Sequence, residues 1–74
     1  MKNRITIFES NILGSWDIYC KGELKHSGKN NPASLRYRAK CLENLKKFYS
    51  EVFPNDEIEV VVINTENVTV VRNV

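Results

Sequence analysis

One segment of this chain is long enough and periodic enough to be a helix, and every other segment must be arranged around it. Asn31 to Phe53 reads NPASLRYRAKCLENLKKFYSEVF. Asn31 is a good N-cap, and Pro32 suits the first helical position, where its missing N–H costs nothing. Pro54 disfavours helical angles at Phe53, so the helix is expected to stop near Glu51 or Val52. About twenty residues at about 1.5 Å rise make a rod of roughly 30 Å. A helical period puts Leu35, Leu42, Leu45, Tyr49 and Val52 on one stripe, with Ala39 and Cys41 at its edges. The opposite side carries Arg36, Lys40, Glu43, Lys47 and Glu51, and Glu43 to Lys47 is the favourable i,i+4 order. Arg38 breaks the pattern by projecting into the middle of the apolar stripe. Such an arginine must extend past the first turn or find a carboxylate or phosphate.

The remaining segments are short and alternate like strands. Lys2 to Glu9 sets Ile5 and Ile7 on one side, Thr6 and Phe8 on the other. Ser10 to Gly14 connects it onward, with Ile12 and Leu13 unusually apolar for a connection. Ser15 to Cys20 opposes Trp16, Ile18 and Cys20 to Asp17 and Tyr19. Lys21-Gly22-Glu23 reads as a hairpin turn in which Gly22 supplies a positive φ. A three-residue loop sets Leu24 opposite Cys20 and His26 opposite Ile18, whereas a two-residue loop flips that face. Ser27 to Asn30 reads as a polar loop leading into the helix. After Pro54-Asn55-Asp56, Glu57 to Asn64 (EIEVVVIN) is the most apolar strand. Thr65-Glu66 turns the chain, and Asn67 to Arg72 forms a final arm.

The element order is therefore β-β-β-α-β-β. It implies an α+β fold in which a single antiparallel or mixed sheet carries one helix on one face. The helix returns the chain, so the fourth strand is expected to run parallel to the third through a right-handed crossover. The expected core is Ile5, Ile7, Trp16, Ile18, Leu24, Leu35, Ala39, Leu42, Leu45, Tyr49, Val52, Ile58, Val60, Val62, Val68 and Val70. In layout alone, three strands followed by a helix resemble small modules that read DNA through a three-stranded sheet, with no shared motif.

Seventy-four residues make one domain, 1–74, too small for two cores. At 42% hydrophobic and 27% charged the chain is that of a folded protein rather than a disordered one. No apolar run approaches the roughly 20 residues of a membrane helix, so no membrane partner is expected. The N-terminus turns polar by Glu9, unlike a signal peptide, and a cytoplasmic location is the expectation. Cys20 and Cys41 suit it as buried free thiols, with a strand-to-helix disulfide as the alternative that a reducing compartment disfavours; the spacing and the lone histidine exclude an ordinary zinc site.

Catalytic groups do not converge. His26 is the one imidazole, and its best nucleophile, Cys20, would have to lie beside it across the hairpin. Asp17, Glu57 and Glu59 fall on one open face without metal-ligand spacing, where Arg4 and Lys21 are natural partners. No phosphate-binding glycine loop is present. The expectation is a protein without enzymatic activity, cofactor, metal or small-molecule substrate.

Two surface signals remain. The net charge of +2 hides an asymmetry: residues 1–40 hold eight Lys/Arg against three acids, and residues 41–74 hold three against six. Lys21, Lys25, Lys29, Arg36, Arg38 and Lys40, on the hairpin and the first helical turns, are the candidate nucleic-acid contacts, where the helix dipole also favours anions. The second signal is apolar. If Ile5, Ile7, Trp16 and Ile18 face the helix, Phe8, Tyr19, Val61, Ile63 and Val71 face away with no second helix to cover them. That face suits a protein partner, a second copy of the chain or stacked bases. The leading expectation is a small nucleic-acid (DNA or RNA) binding domain; the alternative is a protein-interaction module, an inhibitor, adaptor or homodimer, using the open sheet face.

Overall fold

A computed structural model describes residues 1–65; the expected final arm, with Val68, Val70 and Val71, lies outside them. The elements are β1 (Lys2–Ser10), β2 (Ser15–Cys20), β3 (Glu23–Lys29), α1 (Pro32–Val52) and β4 (Glu57–Asn64). They form one mixed four-stranded sheet in the order β3-β2-β1-β4, with a single helix across one face. The fold is α+β, as the periodicities require.

Helix α1 begins and ends where its signals lie. Asn31 accepts a 2.8 Å hydrogen bond from the Ser34 N–H through Oδ1, and Pro32 opens the first turn. Phe53 N–H closes the other end by donating to Tyr49 O at 2.8 Å. The buried side of the helix centres on Cys41 and Tyr49, with Leu35, Leu42 and Leu45 packed around them. Ala39 and Val52, both expected inside, are exposed. Ala39 sits on the solvent flank of the stripe, and Val52 lies in the last turn, next to the chain's exit.

Three further expectations are corrected by tertiary pairing. β4 lies beside β1, with Ile5 opposite Val60 and Ile7 opposite Val62, rather than beside β3. Its direction still matches β3, since β1 and β3 both run antiparallel to β2. Landing on the β1 edge lets the crossover helix span Ile5, Ile7, Trp16 and Ile18, which are at most 2% exposed. The helix packs chiefly over β3 and touches β4 less, so Val62 on the helix side of the sheet remains 54% exposed.

The second correction is Leu24. The β2–β3 turn uses two residues, Lys21 and Gly22, both with positive φ (53° and 79°), the geometry of tight hairpins with right-handed twist. Tyr19 therefore pairs with Leu24, which turns away from the helix and is 54% exposed. A bulge at the next position restores His26 opposite Ile18, so both turn registers occur in one hairpin.

The third is that β3 continues through Ser27-Gly28-Lys29, read from sequence as loop. Gly28 pairs with Trp16, and a Cβ there would stand 2.6 Å from Trp16 Cζ2 and collide with Ser34 Oγ. The strand persists because a residue without a side chain lets the indole pass beneath the helix start. Gly28→Ala is expected to lower stability by about 1–3 kcal/mol, the usual cost of overpacking. Denaturant melts of this variant and of Gly14→Ala, where the added methyl meets only open space, separate packing from backbone strain.

Candidate functional site

The chain has two distinguishable ends. At one, Asn30 N–H donates to Gly14 O (2.7 Å), tying the β1–β2 loop to the start of α1. At the other, Glu57 N–H donates to Met1 O (3.0 Å), and the Lys21 ammonium lies 4.6 Å from the Phe53 ring centre. Lys21 and Lys29 stand at opposite ends of the β2–β3 hairpin, roughly 20 Å apart at strand rise.

This separation divides the six cations proposed from sequence. Lys25 donates to Glu23 (3.0 Å), whose hydrogen bond and charge raise its pKa. Lys21 rests on the rings of Tyr49 and Phe53. Arg38 donates to Glu9 (2.8 Å) with both side chains mostly covered, and its guanidinium lies 6.0 Å from the Trp16 ring. The arginine inside the apolar stripe has thus found a carboxylate on the sheet. Lys29, Arg36 and Lys40 remain exposed and form no ion pair among the described residues. They border the helix start, whose first turn carries no acidic residue. The same end displays Ile12 and Leu13, 84% and 79% exposed, with Leu13 N–H donating to Ser10 Oγ (3.0 Å).

The apolar set comes together more completely. Strand alternation and register put Phe8, Tyr19, Val61 and Ile63 on the sheet face away from α1; Val71 lies outside the described residues. The Phe8 and Tyr19 rings meet edge to face, 5.5 Å between centres. With Arg4, Thr6, Asp17, Lys21, Gly22 and Thr65 they line a concavity of about 670 Å³. Leu24, opposite Tyr19, belongs to the same face. Its contribution was hidden in the sequence because it depends on turn length.

The charges of this face are unequally satisfied. Arg4 donates to Glu59 (3.2 Å) across the parallel β1–β4 pair. Asp17, directly opposite Phe8, is half-buried and has no side-chain partner among the described residues.

The pair weighed as nucleophile and base is not assembled. His26 approaches Tyr37 on the helix, Nδ1 to hydroxyl 3.5 Å, and pairs with Ile18 rather than Cys20. Cys20 and Cys41 are buried free thiols, each beside a tyrosine. Burial, then a hydrogen bond with Cys20, raises the Tyr49 pKa; a hydrogen bond with Cys41 raises that of Tyr37. Among the described residues no cluster of His, Cys, Asp or Glu is placed to hold a metal ion, and no helix is long and apolar enough to cross a membrane.

Comparison of the chain with models of protein families, with curated proteins and with solved structures finds no match. The site is therefore interpreted from its own geometry. The Arg38–Glu9 pair is expected to contribute about 1–2 kcal/mol of coupling, between a surface pair and a buried charged hydrogen bond. A double-mutant cycle with Arg38→Leu and Glu9→Gln, read by denaturant melts, measures it. Additive single changes would show the pair to be energetically idle.

Proposed function

We propose that this domain is a non-enzymatic binding module that docks another protein on the open face of its sheet. The observation that carries the reading is an open sheet face that brings together Phe8, Tyr19, Val61 and Ile63, with Phe8 and Tyr19 lining a concavity on it. Two points favour a protein over a phosphate backbone there. The face is apolar at its centre, as the middle of a protein interface is. Its charges are of both signs, Arg4 already being neutralised by Glu59. Val61 replaced by p-benzoylphenylalanine is expected to give a discrete photo-adduct with a protein. Tyr19→Ala should abolish that adduct, and the same label at the solvent-facing Glu43 should give none. An adduct of twice the chain's own mass would identify the partner as a second copy. Equal labelling from both positions would remove the basis for this reading.

A second reading has its own observation. Lys29, Arg36 and Lys40 are exposed around the helix start and are not consumed by ion pairs among the described residues. They are fewer than the six expected, with Arg36 and Lys40 one turn apart on the helix and Lys29 at the end of β3, and are suited to contacting a nucleic-acid backbone. Three phosphate contacts on duplex DNA correspond to a slope of log K against log salt of about −2 to −3. Fluorescence anisotropy titrations at several salt concentrations are expected to show that slope and its flattening in Lys29→Ala/Arg36→Ala/Lys40→Ala. Salt-independent affinity, or none at low salt, excludes this reading.

A further inference from the structure

Among the charged residues that line the concavity, Asp17 is the one without a side-chain partner among the described residues. It projects from a central strand, opposite Phe8 and two residues before Tyr19, so its carboxylate stands beside the edge-to-face ring pair. The cations that line the same concavity are engaged elsewhere. Arg4 is held by Glu59, and the Lys21 ammonium lies over the rings of Tyr49 and Phe53. A half-buried carboxylate next to apolar rings loses hydration and here gains no hydrogen bond from the described residues. That leaves the carboxylate open to a donor of positive charge. A carboxylate flanked by aromatic faces is also the chemistry that holds a guanidinium, which forks to the carboxylate and stacks on the rings at once.

We propose that the concavity receives an arginine side chain presented by a partner protein, with Asp17 as its carboxylate and Phe8 and Tyr19 as its walls. This deepens the reading of the open face as a protein-docking surface and rests on it. Charge complementarity selects the occupant. Arg4 is engaged by Glu59 and Lys21 by the rings of Tyr49 and Phe53, so among the charged lining residues the Asp17 carboxylate is left for an arginine to complete. The concavity, about 670 Å³, is large enough for an arginine together with its neighbouring side chains.

The test uses two blocked tripeptides, Ac-Leu-Arg-Leu-NH2 and its citrulline counterpart, which keeps the shape and removes the charge. Each is titrated into the 15N-labelled chain while amide shifts are followed. The arginine peptide is expected to shift Phe8, Asp17 and Tyr19 saturably, and the citrulline peptide to bind about tenfold more weakly, the loss of one charge-assisted hydrogen bond. Asp17→Asn, which keeps the side-chain shape, should reduce the arginine peptide's affinity by the same factor and leave the citrulline peptide's unchanged. Equal shifts of the open face by both peptides would overturn the arginine proposal while leaving the docking face intact. Absence of open-face shifts with either peptide would overturn both. Tighter binding of a short oligothymidylate to Phe8 and Tyr19 than of the arginine peptide would also overturn it, marking the rings as a base-stacking platform instead.

Discussion

The burial of the Trp16 indole fixes how the helix sits on the sheet. The ring is 1% exposed, and its Nε1–H donates to Lys29 O at 3.1 Å, which holds the end of β3 against β2. Gly28 leaves room for it on the sheet side, while Ser34, Tyr37 and Arg38 approach it from the helix. A large rigid side chain in a site with no spare volume sets both the distance and the direction of the element above it. The rest of the arrangement follows from that contact. The helix is held over β3 and β2, and the chain it returns reaches the free edge of β1. Val62, farther across, is left uncovered.

The same geometry sets out the two surfaces that carry the functional readings. One face of the sheet is closed by the helix, and its apolar residues form the core. The other retains Phe8, Tyr19, Val61 and Ile63, and the concavity that Phe8 and Tyr19 line also holds Arg4, paired with Glu59, and Asp17, without a side-chain partner among the described residues. Of the exposed basic residues without an ion pair among the described residues, Arg36 and Lys40 lie on the helix, whereas Lys29, opposite Ser15, is on the same side of the sheet as Asp17 and Tyr19.

Arg38 shows how one residue is explained at two levels. Its position in the apolar stripe announces a charge that must be satisfied, and the nearest opposite charge is Glu9, near the end of the first strand. The partner is distant in sequence, so only the folded chain identifies it. Once paired, Arg38 is structural, and the basic cluster inferred from residue spacing is reduced accordingly.

What the sequence determines by itself is local. The helix and its caps are written in Asn31, Pro32 and Pro54, and the strand faces in the alternation of Ile5, Ile7, Trp16 and Ile18. The open apolar face follows from the same alternation once only one helix is counted. The cysteine spacing and the lone histidine exclude an ordinary zinc site, and the fold then shows Cys20 and Cys41 as free thiols. What tertiary structure decides is pairing. β4 joins β1 because the helix must cover the residues between them, a demand that no local periodicity records. Leu24 changes face because the turn closes in two residues, and a one-residue difference in loop length inverts a strand. Ser27 to Lys29 becomes strand because Gly28 accommodates Trp16, which propensity alone disfavours. The cations split into two groups because an extended β3 holds Lys21 and Lys29 apart, whereas closeness in sequence had placed them together. In each case the deciding contact joins residues far apart in the chain, and a strand's length or register turns a small local choice into a large displacement.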